Sequence, residues 1–281
     1  MMRESEAETT ILPESMRRVG PLERLSRSGV FRATASPIVM LLLWELLVRT
    51  GLIDSRFFPA PSSVLRELWV MLASGQLLVH LGYTLSRVAV GFVLGAVPAV
   101  MLGIAMGLSP ALRAFLQPAI ASIYPIPKVA LFPLAMMIFG LGEASKWAIV
   151  AVAVFFQILL STLAGVVNIE RVYLDVAADF RATRWQAYRT IALPGAMPFI
   201  FTGFQLGLGM ALIVVVIAEN FGTNYGLGYV VWHSWQLFEV RDMYVGLIMI
   251  ALVGYISQLL MSRLERRLIP WKRTSQVNLR F

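Results

Sequence analysis

The chain has 281 residues, with 24 lysines and arginines against 16 aspartates and glutamates and a formal net charge of +8. Hydrophobic residues make up 58% of it and charged residues only 14%, with a mean hydropathy of +0.73. A soluble domain carries about 25% charged residues, so a soluble globular fold is excluded. Cysteine is absent, which removes a disulfide framework, a thiolate nucleophile and a thiolate metal site.

A pI near 10.2 raises the question of nucleic acid. The basic residues, however, sit in short loops beside apolar runs, where they set topology and meet lipid headgroups. No nucleic-acid partner is expected. The apolar runs reach about 20 residues, the length of a transmembrane helix and not of a barrel strand. The fold class is therefore an all-α integral membrane protein with about six transmembrane helices.

Residues 1–32 are polar, contain six arginines and hold no apolar core of the kind a signal peptide needs. They read as a disordered cytoplasmic tail. The first span is expected over 33–52. A Pro/Ser loop at 57–63 leads into a short helix over 62–73, with Leu65, Leu68, Trp69 and Leu72 at helical spacing. That helix is too short to cross and is placed along the interface. The second span, 80–108, carries Gly91, Gly95, Gly103 and Gly107, two small-xxx-small pairs that admit a close neighbour helix.

The third region, 111–140, holds Pro118, Pro125, Pro127 and Pro133 around Lys128. Each interior proline removes a backbone hydrogen bond. Broken backbone at membrane depth survives only inside protein or beside a cavity, so this segment is placed in the interior. The remaining spans fall at 145–167, 196–219 and 243–262. Between the last two lies a glycine-rich, then aromatic stretch that suits a short helix near the outer interface, with Tyr229, Trp232 and Trp235 in the aromatic belt.

Orientation follows from lysine and arginine. With the N-terminus inside, the inner segments hold six in the tail, Arg113, four in 168–194 and six after residue 262; the outer ones hold Arg49, Arg56, Arg66, Lys146 and Arg241. Both termini and the 168–194 loop are thus expected in the cytoplasm, with 271–281 as a C-terminal tail.

Catalytic signatures are missing. No glycine precedes a lysine, so there is no phosphate loop, and neither HExxH nor GxSxG occurs. The histidines, His80 and His233, read as ordinary interfacial residues. The chain is not expected to be an enzyme, and no metal site is expected.

The informative stretch is the charged island at 168–194. Residues 171–180 suit a short helix with Asp175 and Asp179 one turn apart, the pattern pauses around Arg181–Thr183, and a second helix from Arg184 to Ile191 brings Trp185, Tyr188 and Ile191 together. Pro194 suits the start of the following span. Two short helices with an aromatic face make a knob that fits a groove.

Asp175-Val176-Ala177, Arg181 and Ile191-Ala192-Leu193-Pro194 together resemble the EAA loop of binding-protein-dependent ABC importer permeases, E-A-A-x3-G-x9-I-x-L-P, with the same spacing throughout. Pro125–Lys146 and Pro194–Glu219 resemble the adjoining segments of that family's nitrate/sulfonate/taurine branch. The resemblance implies a type I ABC importer permease fold over 33–270. It further implies a cytoplasmic ATPase dimer that carries ATP and magnesium, a second permease copy in a homodimer, an outer solute-binding protein, and a cell inner-membrane location among lipids. No cofactor falls on this chain itself. On this sequence Asp175, Ala177, Arg181, Arg184 and Trp185 would be the ATPase-coupling contacts.

Three positions depart from the pattern: Asp175 for Glu, Val176 for Ala and Arg181 for Gly. A turn that needs positive φ at 181 costs about 1 kcal/mol with a side chain present. Either the turn differs or an Arg181 contact compensates.

Polar residues within spans mark function or interhelical pairing. Arg87, Lys128, Gln157, Gln205, Glu219 and Asn220 are the candidates for a substrate path, Lys128 foremost for an anionic solute. The competing class, a self-contained ion-coupled secondary transporter, would show inverted repeats and midplane carboxylates, and no repeat is evident.

Overall fold

The computed structural model describes residues 29–271; the two expected tails lie outside them apart from their inner edges. Among the described residues every regular element is helical. The chain divides at Ser62 into two compact units.

In the first unit, α1 (Gly29–Arg49) is a 21-residue helix, about 31 Å long at 1.5 Å per residue. Gly51, at φ 75°, turns the chain after it. Glu45 accepts hydrogen bonds from Arg49 Nε (2.7 Å), Ser62 N (2.9 Å) and Ser62 Oγ (2.7 Å). Its carboxylate thereby satisfies one of the orphan N–H groups at the start of α2 (Pro61–Ala73).

The second unit is built on α6 (Glu143–Val167), flanked by α3 (Gln76–Leu108) and α9 (Leu193–Ala218). Of the four helices long and apolar enough to cross a membrane, α6 is the most buried, at 56% of its apolar window, and α11 (Val240–Leu268) the least, at 22%. That contrast makes α6 the centre and α11 the rim. The α3–α6 approach rests on the glycine stripe. A Cβ at Gly91 would strike the Val150 side chain, at Gly95 the Ala151 carbonyl, at Gly103 Thr162 and at Gly107 Val166. Absent side chains let the two backbones pack on each other, as the small-xxx-small spacing predicts.

The proline-rich region forms two helices and not one kinked span. α4 (Pro110–Ile123) and the 3₁₀ turn Lys128–Leu131 with α5 (Phe132–Phe139) meet at 88°. Pro118 is accommodated inside α4, whereas the Pro125–Pro127 pair coincides with the break. In the single chain α4 buries none of its residues; of the segment expected in the interior, only Lys128, Phe132 and Ala135 beyond the break are buried. Counting this pair as one span gives five segments long and apolar enough to cross; α1, expected as the first span, is not among them. The short helix expected over 62–73 is present as α2, with Val64 and Met71 buried and Leu65 and Trp69 exposed. The short helix of the glycine-rich, aromatic connection is α10 (Leu227–Gln236).

Candidate functional site

After α6 the chain turns at Asn168, whose Nδ2 donates to the Ala164 carbonyl at 2.9 Å. It then runs through α7 (Arg171–Asp179) to a tight turn. Arg181 takes φ 49° there, so the turn does require the left-handed conformation, and Ala182 N closes it on the Ala177 carbonyl at 2.9 Å. The next helix is started by a reciprocal cap. Thr183 N and Thr183 Oγ1 donate to Gln186 Oε1 at 2.7 and 2.9 Å, and Gln186 N donates to Thr183 Oγ1 at 3.3 Å.

α8 (Arg184–Ala187) continues through a π-helical turn, Tyr188–Ala192, directly into α9. The wide turn has a local reason: Pro194 offers no N–H and its ring crowds the carbonyl four residues back, a conflict that an i→i+5 register relieves. The helix from Arg184 is therefore continuous with the following span, where the sequence suggested a separate short helix ending at Ile191. Trp185 stacks on Tyr188 with centroids 5.2 Å apart and planes at 14°. Phe180 and Trp185 are 83% and 66% exposed. Asp175 is exposed and Ala177 half-buried, while the side chain of Arg184 lies outside the described residues. At the root of the loop, Ile169, Glu170, Tyr173, Ile191 and Phe199 surround a cavity of about 340 Å³.

A second constellation sits at the opposite end of α6. Arg87, fully buried on α3, donates from Nη1 to Glu219 Oε1 at 2.8 Å and to the Tyr225 carbonyl at 2.6 Å. From Nε and Nη2 it grips Glu143 at 2.7 and 2.6 Å, and Nη2 also reaches Thr223 Oγ1 at 3.1 Å. Glu219, also fully buried, accepts from Thr84 Oγ1 and from Gly228 N. A Cβ at Gly226 or Gly228 would collide with the Glu219 carboxylate or the Val216 carbonyl, so glycine is what lets the loop close over the pair. His80 Nδ1 accepts from Gly226 N at 3.2 Å. Lys146, 1% exposed, spends its ammonium on the carbonyls of Leu141, Gly142 and Gly222.

Comparison with known proteins decides what this architecture is. The profile of the family described as binding-protein-dependent transport system inner membrane component matches residues 99–270. The chain is 33% identical to the taurine transport system permease protein of Escherichia coli over 83% of this chain and 86% of that one. It is 29% identical to the putative aliphatic sulfonates transport permease protein of Bacillus subtilis (88% and 89% covered). It is 26% identical to the nitrate import permease protein of Synechocystis sp. (90% and 94%). The chain belongs to the binding-protein-dependent ABC permease family.

Such a permease is a non-catalytic membrane subunit, and the family implies an ATPase and a solute-binding protein as partners. The self-contained secondary transporter finds no support in these relatives. Within this permease the six polar residues singled out from the spans do not form one path. Arg87 and Glu219 meet. Asn220, on the same loop, has its amide placed to donate to the Val216 and Gly228 carbonyls, each at 3.1 Å.

Gln205 lies apart, with Nε2 donating to Glu265 at 2.9 Å and its carbonyl accepting from Gln258, so it ties α9 to α11. Gln157 is half-buried on α6. Lys128 donates to the carbonyls of Ile123, Tyr124 and Ile126 at 2.8–3.1 Å and lies 4.5 Å from the Phe156 ring centroid. All three of its donors secure the break after α4. Sequence reasoning passed over Glu143, read His80 as an ordinary interfacial residue and counted Lys146 among the outer-segment charges. The available signal was the Glu143/Lys146 pair at i,i+3 immediately before an apolar run, where two unneeded charges would have been costly.

Proposed function

We propose that this chain is the permease of an ATP-driven importer for a small anionic solute of the sulfonate, taurine, nitrate or bicarbonate type. It works as a homodimer in the cell inner membrane, with both termini and the 168–194 loop in the cytoplasm. The observation that carries this reading is the continuity of the coupling loop with α9. The exposed Phe180 and the Trp185–Tyr188 stack form a knob, and the helix that carries the stack continues without a break through the π turn into the 26-residue α9. A cleft on the ATPase that grips the knob moves the helix. Asp175, Ala177, Arg181, Arg184 and Trp185 are the coupling contacts in this reading, and the 33–270 region is its transmembrane domain.

The second copy is supported by the face around residues 117–127. It is exposed in the single chain and contains the break between α4 and the Lys128 turn. Irregular backbone at membrane depth cannot face lipid, and a two-fold neighbour would cover it. The anionic cargo is drawn from what the relatives are named for. Arg87, Gln157, Glu219 and Asn220 stay proposed as lining or positioning groups of the path, whereas Lys128 and Gln205 are proposed as structural ties. The test is purification of the tagged chain in mild detergent. An ATPase recovered in equal amount, and lost with Trp185→Ala while the permease still runs as a folded dimer, supports the reading. Recovery of the chain alone, with uptake that survives ATP depletion, overturns it.

A further inference from the structure

Arg87 holds two carboxylates where one would neutralise it, and the two are held differently. Glu219 is fully buried and locked by Thr84, Gly228 N and Arg87 Nη1 together. Glu143 is 39% exposed at its side chain, and among the described residues both of its hydrogen bonds come from Arg87. It opens α6 directly after Gly140 and Gly142, around which a Cβ would meet nothing within 4 Å. The Leu141 and Gly142 carbonyls are held by Lys146, so what can leave the guanidinium is the partly exposed Glu143 side chain and not the backbone. The edge of Arg87 that Glu143 occupies, Nε with Nη2, is the planar fork that fits any carboxylate-like oxyanion in bidentate fashion.

The surrounding charge favours exchange. Arg87, Lys146, Glu219 and Glu143 balance one another. With Glu143 turned away, two cations face one fixed carboxylate and the fork carries an unmatched positive charge. Thr223 Oγ1, 3.1 Å from Nη2, adds a hydroxyl at the rim.

We propose that the Nε/Nη2 fork of Arg87 is an oxyanion site, occupied in this conformation by the Glu143 carboxylate and taken by the anionic head of the solute when Glu143 swings out. The site rests on the reading of an anionic cargo. It goes beyond that reading by naming the atoms that hold the cargo and the residue that gives way to it. Glu143 acts as a built-in competitor, so an empty permease keeps its buried arginine paired and the solute binds by displacement.

The test is calorimetric titration of the permease–ATPase complex in nanodiscs of zwitterionic lipid with sodium nitrate or sodium methanesulfonate, at ionic strength held constant with chloride. Glu143→Gln is expected to bind at least one of these oxyanions ten-fold or more tighter than the wild type, and Arg87→Gln in that background is expected to abolish it. Glu143→Asp, which keeps the charge on a shorter arm, is expected to fall between the two and serves if Glu143→Gln does not fold. Equal affinity in wild type and Glu143→Gln, or binding that survives Arg87→Gln, overturns the site. Heat from phosphatidylglycerol and from neither soluble anion would make it a lipid headgroup site and overturn the solute assignment. ATP-driven uptake by the wild-type complex is measured alongside. Failure to move any oxyanion would remove the anionic cargo reading, whereas the titration of the variants judges the fork itself.

Discussion

Arg87 and Glu219 lie 132 residues apart in the chain and meet at 2.8 Å with both side chains fully buried. The pair fastens α3 to the loop that follows α9, and Glu143 brings in the head of α6 through the same guanidinium. Removing Glu219 leaves the buried donors Thr84 Oγ1 and Gly228 N without their acceptor, at about 1–3 kcal/mol each. Glu219→Ala should therefore lower the thermal midpoint of the detergent-solubilised permease strongly, and Arg87→Met combined with Glu219→Ala should lose less than the two single losses added. Additive losses, read by tryptophan fluorescence on heating, would refute the coupling.

The glycine stripe makes an equally direct prediction. Gly95→Leu should push α3 off α6, because the new Cβ alone would meet the Ala151 carbonyl, whereas Gly209→Ala meets nothing within 4 Å. Overpacking of this kind costs about 1–3 kcal/mol. Size-exclusion profiles should show the first variant aggregated or depleted and the second unchanged.

Lys128 reads as a local clamp. Lys128→Met leaves the carbonyls of Ile123, Tyr124 and Ile126 without their donor, and the expected outcome is lower thermal stability, about 1 kcal/mol per lost hydrogen bond. Solute affinity per folded molecule should stay the same. A raised KM for uptake at unchanged stability would instead return Lys128 to the substrate path.

At Arg181 the backbone is left-handed, φ 49°. Arg181→Gly should relieve about 1 kcal/mol of strain, read as slower proteolysis of the 168–194 loop, and should preserve ATPase binding. Loss of ATPase coupling in that variant would show that the guanidinium itself makes a contact across the interface.

Much of this permease is legible from its sequence. Spans are set by length and hydropathy, since a bilayer core fixes how many apolar residues a crossing needs. The 168–194 loop is equally local. Its pause at Arg181–Thr183 is a left-handed residue followed by a Thr/Gln cap, and the interaction partners are within three residues of one another. The glycine spacing on α3 announced a close neighbour, although only packing showed that the neighbour is α6.

The burial of charge was decided by tertiary structure. Arg87, Glu143, Lys146 and Glu219 come from two separate helices and a loop, and nothing in their spacing tells a solvated charge from a paired one. Lys146 looked like a loop charge and is buried; Lys128 looked like a cargo residue and spends its donors on its own backbone. The prolines likewise marked where a helix must break but not by what angle, because the 88° turn depends on what packs around it. Periodicity and local hydrogen bonding are written in neighbouring residues. The pairing of buried charges, by contrast, depends on which distant segments the fold brings within 3 Å of each other, and only the folded chain holds that information.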